Sequence, residues 1–213
     1  MSAALLAQPI QKVSEETKPD FKNPASLTAQ APEKFLAKFK TTKGDFTIEV
    51  TRAWAPLAAD RFYNLVRSGF YDNCAFFRVV PGFVAQFGIN PDPNVTKAWQ
   101  KEKLKDEPTE QHNMRGRVAM AAAGFNARLT QVFIDLGNNT TLDEALPPFG
   151  EVTEGMDVVD KFHSYKDQQP VQQYIEEQGN KYLDASFPEA DHIVSATLTM
   201  LPAGSHHPGA EKQ

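Results

Sequence analysis

Residues 76–88, Phe-Phe-Arg-Val-Val-Pro-Gly-Phe-Val-Ala-Gln-Phe-Gly, hold the chain's most informative chemistry. Arg78 and Gln86 are embedded in an otherwise apolar, strand-like run, where a permanent cation and a carboxamide are out of place unless they have partners. Period-two alternation puts Arg78 on the face opposite Phe77 and Val79, and puts Phe83 and Ala85 on a shared face. Two readings are open from the pattern: a buried guanidinium satisfied by carbonyls with a glutamine at a strand edge, or a cation presented to a ligand. Other chemistries lack residues to carry them. The single Cys74 excludes an internal disulfide and a thiolate zinc site. With no histidine nearby in sequence it reads as a small core residue rather than an activated thiol. No Gly-x-Ser-x-Gly elbow, phosphate loop or dinucleotide fingerprint occurs. Of five histidines, only His112 and His163 lie inside the body away from its ends, and no carboxylate is spaced to pair with them. His206 and His207 sit beside Pro208 in the C-terminal tail, too few for a metal site. A reaction that forms no bond to a nucleophile would fit these residues better.

The elements that must position these groups follow from alternation and punctuation. Residues 35–40 and 46–50 alternate around a Thr42-Lys43-Gly44-Asp45 turn, a hairpin signal. Pro56 opens a helix over 57–68 with Ala58, Phe62, Leu65 and Val66 on one face, and Gly69 ends it. Short apolar strands are expected at 76–80 and 83–87, split by Pro81-Gly82, then at 117–121, 131–136, 149–152 and 192–201. A short helix is expected at 156–163 and a polar surface helix at 167–179. Residues 89–114 read as a long solvated loop of mixed sign, in which Trp99 serves as an anchor. Many strands with few helices favour a mainly β fold, a closed antiparallel barrel.

Composition sets the outer bounds. The 213 residues, 41% hydrophobic and 23% charged, suit one globular domain with extensions. The boundaries expected are a flexible N-terminal extension at 1–32, the domain at 33–201 and a disordered tail at 202–213. With 22 basic against 27 acidic residues, nothing argues for a nucleic-acid partner or an anionic membrane. No run of ~18 apolar residues would span a bilayer. Residues 1–7 faintly resemble the end of a leader but lack a charged start and a long apolar stretch. As given, the chain reads as soluble and cytoplasmic, with the compartment left open.

Four ordered blocks resemble the cyclophilin family of peptidyl-prolyl cis-trans isomerases. They are 76–88 as quoted, Gly-Arg-Val-Ala-Met-Ala-Ala-Ala-Gly at 116–124, Gln-Val-Phe-Ile at 131–134, and Phe-Gly-Glu-Val-Thr-Glu-Gly-Met-Asp-Val-Val at 149–159. The resemblance runs from about Phe35 to Leu201, and it implies an eight-stranded antiparallel barrel capped by two helices with a peptide groove outside it. It also implies rotation about Xaa-Pro bonds, in service of protein folding, by a monomer that needs no cofactor. The partners implied are proline-containing peptides and unfolded or folding proteins. A barrel that holds proline segments without turnover, or serves as a scaffold, is the alternative, and Arg78 discriminates because pure binding needs no cation there.

Position by position, Arg78 matches the family's catalytic arginine. Phe83, Val84 and Phe133 match its proline pocket, with Leu142 and Leu146 near the rim. Gln86 matches the glutamine that contacts the peptide backbone, and Gln131 and the Ala121-Ala122-Ala123 edge match positions lining the groove. His112 falls on a family position outside the catalytic set. Three positions depart from the pattern: Ala122 replaces a frequent Asn, Thr141 lies where many members carry Trp, and Leu146 where many carry His. Pro147-Pro148 stiffens that rim. The long segments 89–114 and 164–191 resemble a bacterial-type subgroup.

Overall fold

The computed structural model describes residues 18–165 and 168–201. The leader-like 1–7, the rest of 1–17, the first residue of the expected 167–179 helix, and the tail with His206 and His207 lie outside the described residues.

Alternation builds the sheet. Strands β1 (Lys34–Thr41) and β2 (Gly44–Thr51) pair antiparallel from Lys34↔Thr51 to Thr41↔Gly44. That register puts Phe35, Ala37 and Phe39 with Phe46, Ile48 and Val50 in the buried core. Helix α1 (Pro56–Ser68) follows and lays Ala58, Ala59, Phe62, Leu65 and Val66 on that core. Its C-terminus closes on Gly69 at φ 79°, with Phe70 N donating to Leu65 O, the left-handed turn only glycine adopts without strain. Next come β3 (Arg78–Val80), β4 (Val84–Phe87), α2 (Pro93–Trp99), β5 (Arg117–Met120), β6 (Val132–Asp135), β7 (Pro148–Glu154) and the single turn α3 (Met156–Val159). Helices α4 (Gln172–Gln178) and α5 (Asn180–Ser186) precede the last strand, β8 (Ile193–Met200).

The eight strands form one sheet in the order β3-β4-β6-β5-β7-β2-β1-β8. It is an open, curled half-barrel, which corrects the closed barrel expected from the sequence. The outer strands β3 and β8 share no ladder. Their ends are clasped by an isolated Ala75–His192 bridge, with Phe76 N donating to Asp191 O (2.8 Å) and Ile193 N to Cys74 O (2.9 Å). β3 is only three residues long and stops at the Pro81-Gly82 turn, so it offers too little edge for closure.

The helical cap also differs from the two helices expected. The 156–163 helix shrinks to one turn. Inside the expected polar loop, α2 forms because Asp92 accepts from Asn94 N (2.9 Å), Pro93 opens the helix, and Val95 and Trp99 share a buried face at i, i+4. The single helix expected at 167–179 is a pair, α4 and α5, broken at Gly179 (φ 62°). A Cβ on Gly179 would collide with the Pro91 carbonyl, so glycine there lets the pair dock beside α2.

Residues 18–32 lie against the body, although the sequence placed them in a flexible extension. Trp99 Nε1 donates to Phe21 O (2.9 Å), Ala31 N donates to Asp60 Oδ1 (2.8 Å), and Asn64 Nδ2 donates to Ala29 O (2.6 Å). Leu27 and Ala31 are buried. Cys74 is buried in the core, and burial pushes its thiol well above the usual range. Among the described residues, no helix is long and apolar enough to cross a membrane.

Candidate active site

The outer face of β4, β5 and β6 is the site's floor. Alternation sends Ala85, Phe87, Val118, Met120, Val132 and Ile134 into the main core. It sends Val84, Ala119 and Phe133 to the opposite face, where Phe83, Ala121, Leu142 and Leu146 pack on them. Register then lines up the polar groups: Arg78 faces Gln86, Gln86 faces Phe133, and Phe133 faces Ala119. One cross-strand row thus carries the cation, the amide and the ring side by side. Arg78 Nη1 donates to Gln86 Oε1 (3.2 Å), and Gln86 Nε2 donates to Gln131 Oε1 (2.8 Å). The guanidinium carbon lies 5.3 Å from the Phe83 ring centroid, within cation–π range.

Phe83 corrects the alternation argument. The strand period would have it share a face with Ala85, yet Ala85 is in the core and Phe83 lines the outer cavity. It belongs to the turn rather than the strand. Phe83 N donates to Val80 O (2.9 Å), and the strand period begins only at Val84. Its carbonyl is held by Leu136 N and Asn139 Nδ2, each at 2.8 Å.

A cavity of about 440 Å³ opens over this floor. Arg78, Phe83, Val84, Gln86, Ala121, Ala122, Ala123, Gln131, Phe133, Leu142 and Leu146 all line it. Thr141 is exposed in the short 3₁₀ turn Thr140–Leu142 and is not among the lining residues. Four lining residues escaped the sequence reading: Ala127, Leu129, Gln172 and Glu176. The last two come from α4, and their i, i+4 spacing is the only local signal that they share a face.

Two polar clusters hold the walls. Arg128 is fully buried and its Nη1 donates to Glu107 Oε2 (2.8 Å), while Nη2 donates to Lys105 O. Glu107 also accepts from the N–H groups of Leu57 and Ala58, capping α1, whose own N-cap residue Ala55 has no side-chain acceptor. Arg61 donates to Glu102 O and Leu129 O and lies over Trp99, and burial lowers its guanidinium to about 10. Segment 89–114, expected as a solvated loop, is thereby fastened to α1 and to the 121–131 wall.

On the other side, Asp143 accepts from Asn113 N and Nδ2 (2.8 Å each) and meets His112 Nδ1 at 2.8 Å. Burial opposes the charge on Asp143, but the Asn113 N–H and His112 outweigh it and hold the carboxyl below its usual range. Asn113 Nδ2 also donates to Leu146 O (3.1 Å), pinning the rim. His163 meets Glu189 at 3.2 Å. Both histidines therefore have carboxylate partners, contrary to expectation, at separations no local pattern reveals. Among the described residues no cluster of three or more His, Cys, Asp or Glu could hold a metal ion.

The family model described as cyclophilin type peptidyl-prolyl cis-trans isomerase/CLD matches residues 36–179. Peptidyl-prolyl cis-trans isomerase-like 1 of Aspergillus niger is 36% identical over 129 residues, which are 58% of this chain and 78% of that protein. Peptidyl-prolyl cis-trans isomerase-like 3 of Homo sapiens is 37% identical over 128 residues, 57% of this chain and 77% of that protein. Among solved structures, a Cryptosporidium parvum cyclophilin type peptidyl-prolyl cis-trans isomerase in the presence of the dipeptide Ala-Pro superposes at TM-score 0.59. It is 23% identical, with 78% of this chain and 99% of that one covered, and so speaks to the fold. A matched span running from β1 into α4, with relatives of this name covered over most of their length, settles the matter: the chain belongs to the cyclophilin-type peptidyl-prolyl cis-trans isomerase family, and its activity is rotation about the peptide bond that precedes proline.

Proposed function

We propose that Arg78 is the catalytic group and that the outer cavity is the substrate site. The observation that carries this is the row Arg78–Gln86–Phe133, which sets a fixed cation beside an apolar slot in one cavity. Rotation about an amide costs roughly 18–20 kcal/mol because the nitrogen lone pair is delocalised into the carbonyl. In the twisted state that lone pair localises and becomes an acceptor. A guanidinium is always protonated and presents donors in a rigid plane, so Arg78 bonds the twisted nitrogen better than the planar one. Stabilisation confined to the twisted state is what raises the rate. A gain of ~7 kcal/mol corresponds to about 10⁵-fold.

The remaining residues serve orientation. Phe83, Val84, Phe133, Leu142 and Leu146 take the proline ring, while Gln86, Gln131 and the edge Ala121-Ala122-Ala123 hold the peptide on either side of the rotating bond. Gln86 also fixes the guanidinium plane, because its Oε1 accepts from Arg78. No proton moves, and no metal or cofactor enters. The Cryptosporidium parvum relative, whose structure was determined in the presence of Ala-Pro, supports proline-containing peptides as the ligand class here. Unfolded and folding proteins are the physiological substrates this reading implies, acted on by a monomer of domain 33–201. The segments 89–114 and 164–191 are what favour a bacterial-type subgroup, whereas the relatives above are eukaryotic.

The test is a cis-trans assay on an Ala-Ala-Pro-Phe type peptide. Wild type accelerates the exchange and is unaffected by EDTA. Arg78→Ala lowers kcat/KM at least about tenfold with the fold intact, and Arg78→Lys is nearly as damaging because the planar fork is lost. Unchanged turnover in both variants would overturn the assignment.

A further inference from the structure

Among the described residues, only two that line the cavity carry charge, Arg78 and Glu176. Arg78 is engaged by Gln86 Oε1. Glu176 is half-buried, and its carboxylate has neither a hydrogen bond nor an ion pair among the described residues. Burial pushes its carboxyl above the usual range, and the neighbouring Glu177 adds to the effect. Glu177 itself is exposed and accepts from Gln173 Nε2 (2.9 Å), on another face of α4. Gln172 stands one turn before Glu176 on the cavity side.

The position of α4 is fixed rather than incidental. Ile175 is buried with Phe77, Ile89, Leu183 and Phe187, and Gly179 lets the end of α4 abut Pro91. Phe77 precedes Arg78, and Ile89 lies beyond the end of β4, so α4 stands at the end of β4 opposite the apolar slot at Val84. From Val84 to Ile89 is about five residues, or ~16 Å of extended chain. A bound peptide that rises ~3.3 Å per residue therefore reaches α4 within about five residues of its proline.

We propose that Glu176, with Gln172 beside it, forms a subsite for a cationic side chain, so that proline segments carrying a lysine or arginine close to the proline are preferred. The inference rests on the outer cavity being the substrate site. A half-buried carboxylate without a partner gains when an ammonium or guanidinium enters, and the same charge repels acidic segments. Discrimination between a lysine and a glutamate is about three- to tenfold, as for partly exposed pairs.

The experiment compares matched peptides with lysine or glutamate at each of five positions on either side of the proline. Both kcat/KM and Kd are measured for wild type, Glu176→Gln, Glu176→Lys and the control Glu177→Gln. At one or two positions wild type favours lysine about three- to tenfold, less at high salt. Glu176→Gln brings the ratio near one, Glu176→Lys inverts it, and Glu177→Gln keeps it. A ratio near one at every position in wild type, or a preference that survives Glu176→Gln, overturns the inference. Charge-dependent Kd values without turnover of any peptide would support this subsite while overturning Arg78 as the catalytic group.

Discussion

Buried side chains at the site have properties their types alone do not predict. Asp135 is fully buried at the end of β6, where Asn139 Nδ2 donates to Oδ1 (2.6 Å) while Oδ2 has no hydrogen-bond partner among the described residues. Burial raises its carboxyl from 3.8 to about 7, against the lowering effect of Asn139. The native state then binds a proton that the unfolded chain releases near its ordinary value. This contribution to stability is complete below about pH 4 and is lost as pH rises through about 7. Unfolding free energies measured from pH 5 to 8 will fall in wild type by on the order of 2–4 kcal/mol from this group, and Asp135→Asn will flatten the profile. An equal slope in both would show that Asp135 titrates normally. Thr141 supports a second expectation. In cyclosporin-sensitive cyclophilins an indole at this rim contacts the inhibitor, and Thr141 supplies only a small exposed side chain. Loss of an aromatic that buries about 150–250 Å² lowers affinity by ~10²-fold. Inhibition titrations will show weak inhibition of wild type and tighter inhibition of Thr141→Trp. Nanomolar inhibition of the unmodified chain would refute this.

At the scale of elements, the site depends on segments that looked like connections. The 121–131 wall is held by Arg128, whose Nη1–Glu107 bond ties it to the N-terminus of α1. Removing the guanidinium leaves a buried carboxylate capping the helix alone, a cost of about 3–5 kcal/mol. Arg128→Ala is expected to lower the denaturation midpoint and to raise KM more than it lowers kcat, because it loosens the wall without touching Arg78. Arg128→Lys keeps the charge but loses the second bond, to Lys105 O, and falls between. Equal KM values across the three proteins would mean that the wall holds its shape without this anchor. The i, i+4 register of Val95 and Trp99 was available to mark α2, but a mixed-sign surface masked it. The break between α4 and α5 at Gly179 is set by the Pro91 carbonyl, a contact far away in sequence.

Across the whole molecule, residues 18–32 form a strap over α1 and Trp99, away from the cavity. Leu27, Ala31 and the edge-on contact of Phe21 with Phe70 (6.1 Å) give it an apolar underside. Deleting residues 1–32 is expected to cost about 2–4 kcal/mol of stability, read from thermal or urea unfolding, with isomerase activity retained at low temperature. An unchanged midpoint would make the strap energetically silent. The peptide-bond chemistry was legible only through the resemblance of four ordered blocks to the cyclophilin family, since Arg78 and Gln86 in an apolar run left two readings open. The sequence by itself determined all eight strands to within about two residues at each end, and α1 with its glycine stop. These depend on neighbours two to four positions apart, so period-two alternation, i, i+4 spacing and turn residues encode them locally. Tertiary structure alone decided that the sheet stays open, that Phe83 turns outward, and that Arg128 meets Glu107 and His112 meets Asp143. It also decided that Glu176 faces the same cavity as Arg78, nearly a hundred residues earlier. Each of these brings together segments that become neighbours only when the sheet curls, and for Arg128 and Glu107 burial strengthens the pair by removing the water that would otherwise screen it.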